Sequence, residues 1–446
     1  MLPKTDTIAA IATASGRGGV GVVRISGAGI FDIALGIVGS LPAPRTALYT
    51  PFLNNDGDTL DQGIALYFAA PNSYTGEHVL ELQGHGGSAV LQLVLQRCLE
   101  LGARLAEPGE FTQRAYLNDK LDLAQAESVA DLIEATTSQA AKSAMRSLNG
   151  DFSRVVNQLV ARLIDLRMLV EAMLDFPEEE LDLPDLTRRS TKLAFIQTEL
   201  QQTLMLAQQG SLLREGAHIA LIGQPNVGKS SLLNCLSGEE VALVSEIPGT
   251  TRDVIRQSIQ LNGVPLHIID TAGLRHAQDS VEKMGIARTR STIQKADAIV
   301  LLLDTDKGLS AEDQSILAEL PSNTPCVFVQ NKIDLMNEPP RLESHGGKDY
   351  IYLSAKTGAG VDLLKDALLK LIGWHQESGV FMARERHLRA LLLAQKHLTS
   401  AAKELYRAEI FAEELRLTQE ALNSITGEFS SDDLLGEIFS RFCIGK

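Results

Sequence analysis

One eight-residue stretch, Gly223–Ser230, constrains the fold of this chain more than any other feature. Its sequence is Gly-Gln-Pro-Asn-Val-Gly-Lys-Ser, and it lies between the apolar run His218–Ile222 and the helical pattern of Ser231–Leu236. A strand, a glycine-rich loop and a helix in this order form a phosphate-binding loop, because the glycines let backbone N–H groups face phosphate oxygens. The helix N-terminus adds a positive dipole end. The stretch therefore predicts a nucleotide-binding α/β domain.

Two side chains of this loop have predictable roles. Lys229 is placed to reach the β- and γ-phosphates, and Ser230 is placed to ligate Mg²⁺. The nucleotide-binding residues predicted in this loop are Asn226, Val227, Gly228, Lys229, Ser230 and Ser231.

Later motifs identify the nucleotide. Asp270 ends an apolar run and precedes Thr271, Ala272 and Gly273; an acid there holds Mg²⁺ through water, and the glycine N–H senses the γ-phosphate. The carboxylate of Asp334 can accept hydrogen bonds from both the N1–H and the amino group of guanine, a pair that adenine lacks. The sequence therefore predicts GTP as the ligand.

Two further motifs, each after an apolar run, are predicted to contact the base. The run Cys326–Gln330 precedes Asn331 and Lys332, and the run Tyr350–Leu353 precedes Ser354, Ala355 and Lys356. Each motif follows a predicted strand, so all of them should lie along the carboxyl edge of one parallel sheet.

A loop between the first two motifs is typical of a nucleotide-sensing switch rather than a plain connector. Thr251 is expected to complete the Mg²⁺ shell when GTP is bound. The predicted nucleotide-binding residues of this loop are Ser245, Glu246, Ile247, Pro248, Gly249, Thr250 and Thr251.

The position after Gly273 departs from the usual pattern. Many GTPases place a glutamine there to orient the attacking water, but this chain has Leu274. Another group must perform that task, and the candidates near in sequence are Glu282, Arg252 and Arg275. Each of them could instead be a surface charge.

Composition limits the other possibilities. The net charge of −15 argues against indiscriminate nucleic-acid binding. The run Ile299–Leu303 is a buried strand and far too short for a membrane span. The N-terminus carries no basic patch followed by an apolar run, and the four cysteines are widely spaced. These features predict a cytoplasmic protein.

The chain is predicted to be a multidomain α/β protein. An α+β region with short glycine-bounded strands covers residues 1–118, and glycine-poor helical patterns cover residues 119–212 and 374–446. The predicted P-loop domain, a parallel sheet with flanking helices, covers residues 213–373 and is inserted into that helical domain.

Several stretches outside the nucleotide motifs resemble one family. They are Gly16–Gly27, Glu81–Gly87, Asn118–Leu123 and the terminal Cys443–Lys446. With the GTPase motifs, they identify the chain over its whole length as similar to the MnmE (TrmE) family of tRNA-modification GTPases. The resemblance implies a homodimer that binds folate through its N-terminal domain. It also implies action with a flavoprotein partner, MnmG, on the wobble uridine of certain tRNAs.

The resemblance also implies particular site residues. The reaction adds an aminomethyl or carboxymethylaminomethyl group at carbon five, and the one-carbon donor is 5-formyl- or methylene-tetrahydrofolate. Folate-binding positions of the family are matched by Arg24, Glu81, Lys120 and Lys446, which would otherwise be interpreted as ordinary surface or strand-end charges. Cys443 matches a cysteine needed for modification, although a free cysteine more often has only a packing role.

For GTP hydrolysis the resemblance implies a potassium ion. Its ligands would be Asn226, Ser245, Ile247 and Thr250, with Ile247 contributing only its backbone oxygen. K⁺ can take the place of an arginine finger and neutralise charge that develops on the phosphates. Glu282 matches the residue that orients the attacking water.

Two other functions remain open at this stage. An Era-like ribosome-assembly GTPase shares the loop motif but usually carries a basic RNA-binding domain. A nucleotide-switched scaffold with little turnover is the other alternative. A tRNA path could include Lys142, Arg146, Arg384, Arg386 and Arg389, which on helices could equally be solvated charges.

Overall fold

The computed structural model describes residues 6–175, 183–237, 255–270, 296–305, 314, 324–375, 379–427, 432–440 and 442–445. The chain forms two compact units. The first comprises Met1–Ala130, Ser147–Ile196 and Leu393–Lys446, and the second comprises Asp131–Arg146 and Gln197–Leu392. The four-part domain division made from composition stays a prediction.

The strands and helices of the described residues are numbered in chain order. The strands are β1 Ile8–Ile11, β2 Gly18–Ser26, β3 Leu48–Leu53, β4 Thr59–Phe68, β5 Val79–Gly86, β6 Arg104–Leu105, β7 Ala217–Gly223, β8 Ile255–Leu261, β9 Val264–Asp270, β10 Ala298–Asp304, β11 Cys326–Asn331, β12 Arg341–His345 and β13 Lys348–Leu353. The helices are α1 Ile30–Val38, α2 Ser88–Glu100, α3 Glu110–Leu117, α4 Leu123–Glu134, α5 Ser138–Leu148, α6 Asp151–Asp175, α7 Leu183–Glu215, α8 Lys229–Ser237, α9 Ile333–Met336, α10 Val361–Leu371, α11 Glu385–Lys403, α12 Ala408–Thr426 and α13 Asp432–Ser440.

A six-stranded sheet organises the first unit, in the order β3-β4-β5-β2-β1-β6. Its strand pairs are antiparallel except β1 with β6. Side chains alternate between faces along a strand, so Val23 and Ile25 of β2 pack with buried residues of α1 and α2 on one face. Ile8 and Ala10 of β1 pack with Phe111 of α3. Arg24, between Val23 and Ile25, therefore faces the α3 side.

The helices of the first unit bury the faces that their spacing predicts. Leu159, Leu163, Leu166 and Val170 of α6 are buried, and α6 packs along α12. Three apolar residues of α13 pack with Leu123 and with other residues of α4; they are Leu435, Ile438 and Phe439. These contacts confirm the helical periodicity noted on both sides of the α/β region.

A seven-stranded sheet organises the second unit, in the order β12-β13-β11-β10-β7-β9-β8. The five inner strands are parallel, and the two edge strands β12 and β8 are antiparallel to their neighbours. Because parallel strands present their carboxyl ends at one edge, the last residues of β7, β9, β11 and β13 lie at that edge. This arrangement confirms the parallel α/β fold that the nucleotide motifs predict.

The described helices include none that is both long enough and apolar enough to cross a lipid bilayer. The run Ile299–Leu303 is the interior of β10, and all five of its residues are buried. It therefore serves as a central strand, as predicted.

Candidate functional site

The glycine-rich loop connects the carboxyl end of β7 to the first turn of α8. Asn226 and Gly228 have positive φ angles of 62° and 102°, which turn the chain sharply between strand and helix. A Cβ atom at Gly228 would lie 2.3 Å from Nδ2 of Asn331. Glycine at this position is thus required by both conformation and space.

Lys229 lies over this loop. Its Nζ donates hydrogen bonds to the backbone oxygens of Gly223, at 2.5 Å, and of Gln224, at 2.9 Å. The ammonium group is therefore held over the glycine-rich loop, a position from which it could reach phosphate oxygens. Ser230 follows in the first turn of α8 and is exposed, which leaves its hydroxyl accessible to a metal ion.

Asn331 joins two of the predicted motifs. It ends β11 and is buried; its Nδ2 donates to the backbone oxygen of Val227 at 2.6 Å. Its Oδ1 accepts from the backbone N–H of Ala355 at 2.9 Å. One amide side chain therefore ties the glycine-rich loop to the loop after β13.

Asp334 is positioned by a neighbour from the last motif. The hydroxyl of Ser354, which is fully buried, donates to Oδ1 of Asp334 at 2.6 Å. Lys332, with a positive φ of 75°, donates from Nζ to Oδ2 of Asp304 at 2.7 Å. Ser354 thus orients the Asp334 carboxylate at the carboxyl edge of the sheet.

Asp270 is the last residue of β9 and is in register with Leu221 of β7. Its backbone therefore reaches the same edge as the phosphate loop. The predicted residues that lie outside the described ranges are Ser245, Glu246, Ile247, Pro248, Gly249, Thr250, Thr251, Arg252, Thr271, Ala272, Gly273, Arg275, Glu282 and Lys446.

The described residues fit a guanine nucleotide with Mg²⁺. Gly228 lets the glycine-rich loop pack against the Asn331 side chain, and Lys229 supplies a cation beside it. The first-turn hydroxyl of Ser230 is of the oxygen type that Mg²⁺ prefers. At the other end of the edge, Asp334 supplies a carboxylate, the acceptor type that guanine recognition requires.

A second candidate site lies on the α3 side of the sheet in the first unit. Arg24 and Glu81 are partners in the register of β2 and β5. Nε and Nη2 of Arg24 each lie 2.9 Å from Oε1 of Glu81. The guanidinium lies 5.5 Å from the ring centre of Tyr74 and 5.9 Å from that of Phe111. A charged pair beside two aromatic rings can receive a flat heterocycle with polar edges.

Lys120 is connected to the same place through one loop. Its Nζ donates to the backbone oxygen of Pro71 at 3.1 Å, and a Cβ at Gly76 would lie 3.3 Å from its Cγ. The loop between these two residues carries Tyr74. Lys120 therefore contacts both ends of the loop that carries Tyr74, whose ring lies beside Arg24.

The C-terminal segment lies in this neighbourhood too. Gly445 has a positive φ of 96°, and a Cβ there would lie 2.3 Å from the backbone oxygen of Ile11. The next residue towards the N-terminus of β1, Ala10, is in register with Arg24. Cys443 is exposed, and its backbone oxygen accepts from the N–H of Gly109 at 3.3 Å.

A buried ionic network fixes α3, which carries Phe111. Nη1 of Arg114 lies 3.1 Å from Oε2 of Glu77, and its Nη2 lies 3.0 Å from Oε1 of Glu110. Arg104 donates twice to Glu110, at 2.6 and 2.8 Å. Burial acts to raise the pKa of Glu110, but the hydrogen bonds from Arg104, the Glu107 backbone and Arg114 outweigh it and lower the pKa to about 2.

Replacing Glu110 by glutamine should destabilise the first unit by about 2 kcal/mol at pH 7, because charge-assisted hydrogen bonds to two arginines are lost. The folded-state pKa lies below the ordinary value of 4.5. The stabilisation is therefore complete above about pH 4.5 and disappears as the pH falls towards 2. Urea unfolding followed by circular dichroism at pH 7 and pH 3 measures both effects.

The matched control is Glu420→Gln, which changes an exposed acid paired with the exposed Arg416 on α12 in the same unit. An exposed pair contributes little, so this variant should unfold like the parent at both pH values. Equal stability of the two glutamine variants at pH 7 would show that the Glu110 network is not stabilising.

Comparison with known proteins shows which family the chain belongs to. Residues 123–443 match the family model described as the MnmE helical domain, and residues 7–120 match that of the GTP-binding protein TrmE N-terminus. The chain belongs to the MnmE family. The resemblance seen in the sequence is thus confirmed. The predicted fold class, in which an N-terminal TrmE domain and a helical domain accompany a P-loop domain, is confirmed as well.

Curated MnmE-family relatives align over the full chain. The tRNA modification GTPase MnmE of Nitrosomonas europaea is 60% identical over 451 residues, covering 100% of both chains. That of Nitrosospira multiformis is 59% identical over 452 residues, again covering 100% of both. Among solved structures, Era of Aquifex aeolicus is 26% identical with a TM-score of 0.29, covering 41% of this chain and 66% of that one.

Several residues around the MnmE-family folate positions were not predicted from the sequence. Tyr74 and Phe111 flank Arg24, and Nε2 of Gln83 donates to Oε2 of Glu81 at 3.3 Å. Gln83 could have been found, because it lies two residues from Glu81 on the same strand face. Tyr74 lies in a loop and Phe111 lies in α3, so no regular spacing in the sequence connects them with Arg24.

Arg384 departs from the prediction made for it. It precedes α11 rather than lying on a helix, and its Nη2 donates to Oδ1 of Asp131 at 2.8 Å. Its side chain is only 12% exposed. Arg384 is therefore a buried structural partner, not a solvated charge.

Proposed function

We propose that this chain is a tRNA-modification GTPase. With a flavoprotein partner, MnmG, it adds an aminomethyl or carboxymethylaminomethyl group at carbon five of the wobble uridine of certain tRNAs. The observation that carries the proposal is the pair formed by Asp334 and Ser354 at the sheet edge that also holds the Lys229 loop. Membership of the MnmE family over the full chain supports the RNA substrate.

The two ends of the carboxyl edge of the seven-stranded sheet have different roles in nucleotide binding. Lys229 binds the phosphates, and Asp334 selects guanine by accepting from N1–H and the amino group. Ser230, and Thr251 when GTP is bound, would hold Mg²⁺, which neutralises charge on the phosphates. Asn331 keeps both ends in register because it bonds to the two loops at once.

Hydrolysis is proposed to need Glu282 and K⁺. Glu282→Ala should leave GTP affinity unchanged and lower turnover on the order of 10²-fold, since a positioned base for the attacking water is lost. Mant-GTP binding and phosphate release in KCl measure the two quantities. The same assay in NaCl tests the ion proposed for Asn226, Ser245, Ile247 and Thr250.

Two results would count against this assignment. Equal wild-type rates in KCl and NaCl would remove the potassium ion from the mechanism. Unchanged turnover in Glu282→Ala would transfer the water-orienting role to another residue, with Arg252 and Arg275 the next to test.

The second site is proposed to bind a tetrahydrofolate one-carbon derivative, either 5-formyl- or methylene-tetrahydrofolate. Arg24, Glu81, Lys120 and Lys446 would hold it. Support comes from the aromatic surround of the Arg24–Glu81 pair and from the approach of the C-terminal segment to β1. Cys443 is proposed to act in the modification. Fluorescence titration with 5-formyl-tetrahydrofolate, with and without residues 443–446, tests this binding.

The proposed assembly is a cytoplasmic homodimer that acts with the flavoprotein. An Era-like role in ribosome assembly is less well supported, because the relatives that align over the full chain carry the name of a tRNA-modification GTPase.

Mass analysis of wobble uridines tests the proposal directly. In a strain whose own gene for this protein is deleted, the carbon-five group should be missing, and a plasmid copy should restore it. Unmodified wobble uridines despite expression of the folded chain would contradict the proposal. Normal uridines with accumulated ribosome precursors in the deletion strain would favour the Era-like role.

A further inference from the structure

The β8–β9 hairpin occupies a particular place in the chain. It begins four residues after Thr251, the last residue predicted in the switch loop, and it ends at Asp270 of the next nucleotide motif. Its two strands are joined by Asn262 and Gly263, with φ angles of 48° and 83°. Positive φ at both central positions is the tight hairpin turn that Asn-Gly favours. The hairpin is therefore short and stiff, and in the chain it lies between the two segments that are predicted to sense the γ-phosphate.

The tip of this hairpin is held at the N-terminus of α5. The hydroxyl of Thr137 donates to the backbone oxygen of Gly263 at 2.8 Å, and Oγ1 of Thr137 accepts from the backbone N–H of Ala140 at 3.0 Å. Thr137 is 5% exposed. One buried hydroxyl thus caps α5 and binds the hairpin turn, so that displacement of the tip must break the cap or move the helix.

The tip of the hairpin packs closely against the first turn of α5. A Cβ atom at Gly263 would lie 2.8 Å from Cβ of Gln139, in the first turn of α5. Glycine is therefore needed at Gly263 for two reasons, the positive φ and the contact with α5. The hairpin between β12 and β13, at the opposite edge of the same sheet, provides a contrast, since Gly347 has a φ of 77° and nothing within 4 Å of its Cβ position.

The base of the hairpin is anchored separately. A ring nitrogen of His267 on β9 lies 3.1 Å from the backbone oxygen of Glu215 at the end of α7. Beside this anchor, Asp131 of α4 accepts from Nε of Arg214 and from Nη2 of Arg384, both at 2.8 Å. A cleft of about 360 Å³ lies between these residues and the hairpin. The hairpin therefore has fixed attachments at its base and its tip, and open space along one side.

We propose that the β8–β9 hairpin transmits the nucleotide state to α5, with Thr137 as the positioning residue that couples them. A change in the segments around the γ-phosphate shifts the hairpin, and the Thr137 hydroxyl passes that shift to the first turn of α5. The proposal rests on GTP binding at the Lys229 loop. It assigns α5 as the element through which hydrolysis drives rearrangement of the helices.

Hydrogen exchange on the full chain tests this coupling. Amide exchange of residues 138–148 is compared with GDP and with a non-hydrolysable GTP analogue bound. The wild-type protein should show at least about a fivefold difference in exchange rate between the two states, the lower end of known coupling factors. Thr137→Val should abolish the difference while GTP turnover stays within about twofold of wild type, because the residue is remote from the phosphate loop in sequence and in its contacts.

The variants separate coupling from folding. Thr137→Ser keeps the hydroxyl and should keep the nucleotide-dependent difference. Gly263→Ala should lose it, whereas Gly347→Ala carries the same kind of backbone strain without a neighbour and should retain it. A simple loss of stability would raise exchange equally in both nucleotide states and in both glycine variants.

Three results are decisive. No difference in α5 between nucleotide states in a wild-type protein that binds GTP would overturn the coupling and leave the proposed function intact. A difference that survives in Thr137→Val would remove Thr137 from the path. Absence of GTP binding would instead overturn the proposed function itself.

Discussion

Replacing Lys229 by alanine is expected to lower GTP turnover by about 10³-fold, the upper range for loss of one positioned charge partner of a transition state. The Lys229 ammonium is held over the phosphate loop by the backbone oxygens of Gly223 and Gln224. No other described lysine or arginine belongs to this loop. Charge on the transferred phosphoryl group would then be left to Mg²⁺ and K⁺ alone.

Single-turnover phosphate release at saturating GTP measures this loss apart from weaker binding. Lys370→Ala is the matched control, because Lys370 is an exposed residue in the last turn of α10 in the same unit. It should turn over GTP like the parent protein. If Lys229→Ala kept more than a tenth of the parent rate, the loop would not be the site of phosphoryl transfer.

Replacing Asp334 by asparagine is expected to exchange the base that the protein accepts. An asparagine amide cannot accept from both N1–H and the amino group of guanine, so GTP binding should weaken at least about 10²-fold. Xanthine carries an oxygen where guanine carries the amino group. The asparagine Nδ2 can donate to that oxygen, so xanthosine triphosphate should bind and be hydrolysed.

Competition between GTP and xanthosine triphosphate against a fluorescent nucleotide measures the exchange. Ser354 still donates to the oxygen at position 334, so the new side chain keeps its orientation. Asp362→Asn is the control: this acid on α10 is 91% exposed and its change should leave both affinities unaltered. An Asp334→Asn protein that still prefers GTP would mean that another group recognises the base.

The nucleotide edge could be predicted from the sequence because its chemistry is local. Each motif follows one strand, and parallel strands bring such motifs together without further information. The loop around Gly228 and the positions of Asn331 and Asp334 are accordingly where the sequence indicated. The bond that Asn331 makes with both loops is a tertiary feature that no single motif contains.

Other features depend on contacts between distant segments. The edge strands β8 and β12 were not predicted, since an edge strand has one unpaired side and carries polar residues such as Arg341 and Glu343. The surround of Arg24 combines β2, β5, α3 and the loop around Tyr74. The role of the Thr137 hydroxyl depends on its hydrogen bond to Gly263, a residue distant in sequence.

Isothermal titration of the wild-type protein with GTP and with ATP, in the presence of Mg²⁺ and K⁺, tests the central claim most directly. If the carboxylate of Asp334 selects the base while Lys229 holds the phosphates, GTP should bind at least about 10²-fold more tightly than ATP. Equal affinity for the two nucleotides, or binding of neither, would contradict the account.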